Sequence, residues 1–377
     1  QTSSEPVSSG CSPLETPVSQ SCCSPATEGG CCPVPGVSDD QPGYKLWPFV
    51  AGWLETPVGR VPQVETRLTW SDRREHWQMR WGIGRMRYSL ASGLYAAGRP
   101  DANSEVLVTA NYKMSFDLLR SSLAGRDLWL LILDTRGINV WCAAGKGTFG
   151  TGELVQRIAA TRLTELVEHR RLILPQLAAP GIAAHEVKKQ SGFQVVYGPV
   201  RSEDLPRFFD SGLQASVEMR RVSFSLQERL VLTPVELVNA RKQVLWGIPI
   251  LFLLGGVAPS VYSFSGAWAR GVGGVLAGLV GLLCGALLSP LLLPWLPGRA
   301  FAVKGALTGF GVALLGLLFF YQSFNWLNGM ALLVALPAVS SWYAMHFTGS
   351  TPFTSPSGVE KEMRMAIPAQ AAALVVG

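Results

Sequence analysis

Between residues 105 and 232, short apolar runs alternate with segments of helical spacing. The runs at 105–110, 127–134, 171–174, 194–197 and 229–232 read as strands, and 115–123, 152–169, 183–190 and 203–210 carry the helical period. This βα alternation predicts an α/β fold: a mainly parallel sheet with helices on both faces. Ligands of such sheets bind beyond the carboxyl ends of the strands. The segments of interest are therefore Asn111-Tyr112-Lys113, residues 135–151, residues 175–181 and Gly198-Pro199. Upstream, residues 44–100 mix aromatic, aliphatic and arginine positions between Pro and Gly, as in Arg67-Leu68-Thr69-Trp70 and from Trp77 to Tyr88. Short strands and ordered loops packed onto the next domain are expected there.

From Val244 the pattern changes to long apolar spans at 244–263, 271–293, 301–321 and 326–347. Each is long enough to cross ~30 Å of hydrocarbon as a helix. A fifth segment, 363–377, is short of a full crossing and reads as a partial helix or a span cut short. Arg241 and Lys242 precede the first span, Arg299 and Lys304 flank the next turn on that side, and Lys361 and Arg364 follow the fourth. The alternate loops carry only Arg270 or nothing, so the positive charges place the preceding domain in the cytoplasm of a multi-pass inner-membrane protein. Gly274 and Gly278, then Gly281 and Gly285, have the spacing that lets helix backbones approach closely. No ionisable residue sits mid-span, which argues for an anchor or docking platform over a transporter. Three regions result: a tail over 1–43, an α/β domain over 44–233 and an all-α transmembrane domain over 234–377.

Composition sharpens this division. The tail is rich in Ser, Pro, Gly, Thr and Cys and cannot bury enough surface to offset its ordering entropy, so disorder is expected. A net charge of +6 comes largely from arginines between Arg60 and Arg99 and from Arg220, Arg221, Arg229, Arg241 and Lys242. Nucleic acid could attract such a surplus; a juxtamembrane domain facing anionic lipid accounts for it more simply, so lipid and not nucleic acid is the expected partner. Of seven cysteines, five lie in the tail, leaving Cys142 alone in the α/β domain and Cys284 in an apolar span. That is no disulfide framework, and it favours a reducing compartment. No charged-then-apolar leader opens at Gln1, so the membrane address is expected from the C-terminal half.

Asn139-Val140-Trp141-Cys142-Ala143-Ala144-Gly145-Lys146-Gly147 follows the second strand of the alternation. Asn is a good helix N-cap and Gly a good stop, which predicts a short helix across the ligand edge of the sheet. Ala143, Ala144 and Gly145 would let a broad flat molecule lie against the backbone, with Cys142 pointing at its centre. On residue type alone, a single cysteine there is more often a small buried hydrophobe.

This nonapeptide, with Trp81-Gly82-Ile83-Gly84-Arg85-Met86-Arg87-Tyr88, Val108-Thr109-Ala110-Asn111-Tyr112-Lys113, Ala179-Pro180-Gly181, Tyr197-Gly198-Pro199-Val200, Phe347-Thr348-Gly349-Ser350 and Ser357-Gly358-Val359, resembles the HgcA family of corrinoid-dependent mercury-methylating proteins. The likeness runs from about Tyr44 to the end. The family is related to the corrinoid iron-sulfur protein of acetyl-CoA synthesis. The resemblance implies a Rossmann-like corrinoid-binding domain, a cobalamin-type corrinoid bound base-off, and Cys142 as the lower axial ligand of cobalt. It further implies a methyltransferase that passes a methyl group from methyl-Co(III) to Hg(II), forming methylmercury, in an anaerobic setting. A thiolate trans to the methyl group donates electrons to cobalt, which suits transfer to an electrophile. Asn139, Val140, Trp141, Ala143, Ala144, Gly145, Lys146 and Gly147 would line the cofactor, joined by Asn111, Gly198 and Pro199. Thr148, Thr151 and Lys146 either bind corrin amides or the nucleotide tail or are solvated loop residues. Implied partners are an HgcB-like ferredoxin with iron-sulfur clusters and a methyl donor, either a protein or methyl-folate.

Other readings carry less. No Asp-x-His-x-x-Gly pattern occurs, so His76, His169, His185 and His346 read as structural or surface residues. Gly145-Lys146-Gly147-Thr148 lacks the earlier glycine of a phosphate loop. Cys22, Cys23, Cys31 and Cys32 could hold Hg(II) through paired soft thiolates, or could be incidental to an unstructured tail. Two alternatives to mercury methylation stand: a corrinoid methyl carrier with a different acceptor, and a membrane-anchored corrinoid-binding module without catalysis.

Overall fold

The computed structural model describes residues 47–377 except Ser260, Phe324, Pro352 and Phe353. The tail, with its expected disorder and its Cys22, Cys23, Cys31 and Cys32, lies outside the described residues. The first part runs β1 (Val50–Thr56), β2 (Gly59–Val64), α1 (Trp70–Arg80), β3 (Gly93–Ala97), β4 (Val106–Ala110), α2 (Lys113–Ser121), β5 (Leu128–Leu133), α3 (Val140–Lys146), α4 (Thr151–Ala160), α5 (Leu163–Leu166), β6 (Arg171–Leu174), α6 (Ala184–Ser191), β7 (Gln194–Tyr197) and α7 (Leu205–Asp210). Among the described residues, seven strands form one sheet in the order β1-β2-β3-β5-β4-β6-β7. Strands β5, β4, β6 and β7 run parallel; β3 joins antiparallel to β5, β2 parallel to β3, and β1 antiparallel to β2. The sheet is thus mostly parallel.

Period-two alternation explains the two layers around it. Trp129, Leu131 and Leu133 of β5 face a core built with Val140, Ala143, Leu154, Ile158 and Val187 of α3, α4 and α6. Leu128, Leu130 and Ile132 face the other core, with Phe116 and Leu119 of α2 and Leu205 and Phe208 of α7. A strand buried on both faces must be apolar throughout, and Leu128–Leu133 is. The chain leaves β4 toward α2 on one face and the adjacent β5 toward α3 on the other. This opens a crevice between their carboxyl ends, the usual ligand position of an open α/β sheet.

Four of the five expected strands fall within a residue of their predicted bounds, and the segment at 229–232 does not. It lies inside a helix, α8 (Leu226–Asn239), because Ser225 and Glu228 close a capping box that starts a helix there. Upstream, Trp70–Arg80 is helical where strands and loops were expected, for the same reason: Thr69 and Asp72 cap each other. The short strands β1, β2 and β3 do form, and they extend the main sheet.

After α8 come α9 (Arg241–Gly255), a two-stranded ribbon of β8 (Val257–Ala258) and β9 (Val261–Tyr262), α10 (Phe264–Leu283), α11 (Ser289–Leu292), α12 (Phe301–Phe319), α13 (Trp326–His346) and α14 (Pro356–Val376). A π-helical stretch, Cys284–Leu288, joins α10 to α11, and Phe264–Leu292 is continuous. Among the described residues, three helices, Phe264–Leu292, Phe301–Phe319 and Trp326–Gly349, are long and apolar enough to cross a membrane; the pair α8 and α9, bent by 50°, makes a fourth only if counted as one. The expected span over 244–263 is corrected accordingly: α9 stops at Gly255 and the chain turns through the ribbon. The fifth segment is the distal half of α14, whose first half carries Glu360, Lys361, Glu362 and Arg364. Gly281 and Gly285 do pack tightly: a Cβ on Gly285 would overlap the Ser340 carbonyl of α13, whereas Gly274 and Gly278 meet Leu251 of α9 at ordinary contact.

Candidate functional site

Helix α3 forms as its sequence predicts. Asn139 is extended, with its side chain accepting a hydrogen bond from the Cys142 N–H at 2.9 Å. Gly147, at φ +79°, ends the helix in the left-handed conformation that favours glycine. Val140, Ala143 and Ala144 face the core, Trp141 and Cys142 are half-buried, and Gly145, Lys146 and Gly147 are exposed. Cys142 is a free thiol. A Cβ added to Gly145 or Gly147 would meet nothing within 4 Å, so the outer side of α3 is open beside the cysteine. The inner side is closed: a Cβ on Gly181 would overlap the Phe149 carbonyl oxygen and lie 3.0 Å from Ala144 Cα. Only glycine lets the 179–181 loop seat α3 at that depth.

Asn111, just beyond β4, ties the crevice together. Its Oδ1 accepts from Thr135 N at 3.1 Å, Thr135 Oγ1 at 2.8 Å and Gly137 N at 2.9 Å. Its Nδ2 donates to Asp134 Oδ1 at 3.0 Å. One buried amide therefore shapes the whole loop that delivers Asn139 and α3. Glu153, in the first turn of α4, accepts from Asp134 N at 2.8 Å and adds a second tether.

The other expected residues divide by role. Thr151 Oγ1 accepts from Ala183 N at 2.9 Å and pins the start of α6. Thr148 Oγ1 donates to the Ala143 carbonyl at 3.4 Å, closing α3. Gly198 and Pro199 are buried; Gly198 N donates to the Leu174 carbonyl at 2.8 Å, and Pro199 O accepts from Gln176 N at 3.4 Å. Asn111, Thr151, Gly198 and Pro199 thus spend their polar groups or surface on the protein, whereas Trp141, Cys142, Gly145, Lys146 and Gly147 share the accessible patch.

Sequence reasoning gave no role to Tyr112 and Arg85. Tyr112 is buried directly after β4, and the Arg85 guanidinium carbon lies 5.6 Å from its ring centroid. Burial pushes the Tyr112 phenol above its ordinary range; Arg85 opposes this, and the nearby Cys142 adds to it. Burial thus keeps the phenol neutral. The strand-end rule marked the segment that holds Tyr112, and Arg85 lies in the motif at 81–88, but neither signal says what the side chain does.

Behind Tyr112 lies a buried ion cluster. Lys113 Nζ contacts Asp72 Oδ1 at 2.7 Å, Glu75 Oε2 at 3.0 Å and Asp117 Oδ2 at 2.7 Å. Arg120 pairs with Asp117 at 2.8 Å and Asp72 at 2.9 Å, and His76 Nε2 lies 2.9 Å from Asp117. Burial alone would raise the carboxyl pKa values, yet Lys113 with Thr69 at Asp72, and His76, Arg120 and Lys113 at Asp117, hold both below the ordinary range. This cluster clamps α1 to α2 and fixes the turn that carries Asn111 and Tyr112.

Among the described residues, no group of three or more His, Cys, Asp or Glu side chains gathers to hold a metal ion. A site offering one thiol suits a metal that brings its own equatorial ligands, as the cobalt of a corrinoid does. The open glycine surface beside Cys142 fits a flat macrocycle. Gln176 Oε1, on the turn packed against α3, is a buried acceptor without a hydrogen-bond partner.

Residues 85–209, from the Arg85 turn to α7, match the family described as CO dehydrogenase/acetyl-CoA synthase delta subunit. Among curated proteins, the chain is 38% identical over 121 residues to the acetyl-CoA decarbonylase/synthase complex subunit gamma of Methanopyrus kandleri, covering 31% of this chain and 26% of the relative. It is 32% identical over 120 residues to the same subunit of Methanothermobacter thermautotrophicus, with coverage of 31% and 26%. It is also 32% identical over 126 residues to subunit gamma 2 of Methanosarcina thermophila, covering 32% and 26%. The chain thus spans about a quarter of the length of these relatives. The third of the chain that carries Arg85, Asn111, Tyr112, Cys142 and Gly181 is the part that matches the family model.

Proposed function

We propose that this chain is a membrane-anchored corrinoid protein that methylates Hg(II), with Cys142 as the lower axial ligand of cobalt. One observation carries the reading: a half-exposed free thiol on the capped helix α3, at the carboxyl-end crevice and beside an open glycine surface. The likeness of Asn139 to Gly147 to the mercury-methylating family supports it, as does the similarity of residues 85–209 to the acetyl-CoA complex subunits. Bound there, the corrinoid supplies a methyl group carried on cobalt. Cys142 is the residue that would hold the cobalt, and a metal-bound cysteine gives up its proton and becomes an electron-rich donor. Asn139 orients it by holding its backbone N–H, and Asn111 holds the loop on which both ride. Tyr112 stays protonated, with the Arg85 cation over its ring. Gly145 and Gly147 leave room for the macrocycle, and Lys146 and Gln176 offer a cation and an acceptor to its polar edge. The three long apolar helices anchor the chain in the inner membrane with the α/β part in the cytoplasm. An HgcB-like ferredoxin supplies electrons, and a protein or methyl-folate supplies the methyl group.

Cys142→Ala in the full chain tests this. Methylmercury formation by cells or extracts should be lost, together with the cobalt-sulfur signature in the absorption spectrum; unchanged formation removes the mechanism. A second reading, a corrinoid methyl carrier with a different acceptor, is favoured by the similarity to acetyl-CoA decarbonylase/synthase subunits. Purified methylated protein that releases methyl to other acceptors and none to Hg(II) would select it.

A further inference from the structure

Helix α1 turns Asp72, His76 and Met79 inward and leaves the opposite face uncovered. That face exposes Trp70 (81%) and Trp77 (66%), continues through half-buried Trp81, which stacks on Trp77 at 5.7 Å between centroids, and ends at Ile83 (58%). Between these apolar side chains stand exposed Arg73, Arg74 and Arg87 and half-buried Arg80. The acidic residues of α1 do not offset them: Asp72 is buried, and Glu75 is spent on Lys113. An apolar patch interleaved with guanidinium groups has the composition of an interfacial surface, where indole rings sit at headgroup level and arginines meet anionic lipid.

Its position in the fold selects lipid over protein. A Cβ on Gly82, at the end of this face, would lie 3.6 Å from Val235 and 3.9 Å from Val238, in the last turns of α8. Arg241 and Lys242 follow at once and open α9, which exposes Leu245 and Trp246. The α1 face is therefore continuous with the place where the chain turns into its apolar helices. The start of α8 is itself tied to the apolar helices: buried Arg229 donates to the Pro290 and Leu291 carbonyls at the end of α11.

We propose that the outer face of α1 and its following loop, Trp70, Trp77, Trp81 and Ile83 with Arg73 and Arg74, beds in an anionic phospholipid headgroup layer and fixes the α/β part against the membrane. This rests on the reading that the apolar helices cross a membrane. Its consequence is orientation: the face of the sheet that carries α3 is turned away from the lipid, toward soluble partners.

The test uses the full chain in cell membranes with a photocrosslinking residue, p-benzoylphenylalanine, in place of Trp77, of Leu318 on α12, or of Gln156 on α4. Irradiation should yield phospholipid adducts at positions 77 and 318 and none at 156. In nanodiscs the adduct at 77 should fall when phosphatidylglycerol is replaced by phosphatidylcholine. It should also fall with Arg73→Gln and Arg74→Gln, since each arginine near an anionic surface is worth roughly fivefold in binding. A protein adduct at 77, or none, while 318 still labels lipid overturns this proposal and leaves the spanning reading intact. Failure at 77 and 318 together overturns both.

Discussion

Replacing Asn111 tests whether one amide controls the position of α3. Asn111→Ala removes the acceptor shared by Thr135 N, Thr135 Oγ1 and Gly137 N and the donor to Asp134. Thr135 and Gly137 are buried, so two main-chain N–H groups lose their partner away from water. Each such loss costs about 1–3 kcal/mol, or roughly 2–6 kcal/mol together. Domains are stable by only about 5–15 kcal/mol, so the loop is expected to open locally before the sheet does. Hydrogen exchange of the full chain should show residues 134–146 exchanging at least about thirtyfold faster, the equivalent of about 2 kcal/mol, with β4 and β5 unchanged. Asn111→Asp separates the two halves of the role. It keeps the acceptor and puts a carboxylate oxygen where Nδ2 faces Asp134 at 3.0 Å. Two carboxylates in contact raise their joint pKa, so protection in this variant should return as pH falls through that raised value and the pair shares a proton. Wild-type exchange over 134–146 in Asn111→Ala, or a uniform rise along the chain, would refute the reasoning.

Other outcomes follow from the same contacts. Gly181→Ala drives a methyl into the Phe149 carbonyl and Ala144, so it should lower stability by about 1–3 kcal/mol in thermal unfolding; Gly145→Ala meets nothing, should leave the melting temperature unchanged or slightly raised, and should still weaken corrinoid retention by filling the open surface. Lys113→Met removes the cation shared by Asp72, Glu75 and Asp117, leaving the two buried aspartates to Arg120 and His76, and should cost about 3–5 kcal/mol. In the native protein these carboxyls titrate below their ordinary 3.8, so their contribution is present above that value and fades as pH falls through the lower folded values. Lys113 is raised above 10.5, so its share is complete below that value and fades as pH rises through the folded value; acid unfolding monitored by circular dichroism should therefore begin at higher pH in the variant. Gly305→Leu forces a side chain into Ala344 and Ser340 and should part α12 from α13, seen as a lower melting temperature in detergent, whereas Gly311→Leu points into open space and should not.

Much of this was legible in the chain. Strands β4, β5 and β6 were marked by apolar runs between turn signals, because a strand buried on both faces leaves little other choice of residues, and the edge strand β7 carried a shorter run of the same kind. The cap helix was readable from Asn139 and Gly147 because both act through the backbone of their own neighbours. The three long apolar helices were readable because length and hydropathy are local sums. Local capping could also have revealed α1 and α8, since Thr69 with Asp72 and Ser225 with Glu228 carry the signature that alternating apolar residues obscured.

Only the tertiary structure decided the rest. Asn111 and Thr135 lie 24 positions apart, Thr151 and Ala183 lie 32 apart, and Lys113 and Asp72 lie 41 apart, yet each pair is in hydrogen-bond contact. Such partners leave no periodic trace, because a buried polar group needs a mate in space and not in register. The sequence alone determined which segments could become strands, helices and spans, since that depends on a residue and its near neighbours. Folding decided that Arg85 lies over the Tyr112 ring, that Gly181 seats the cap helix, and that the tryptophans of α1 stay uncovered, because those outcomes depend on how strands cross and helices pack.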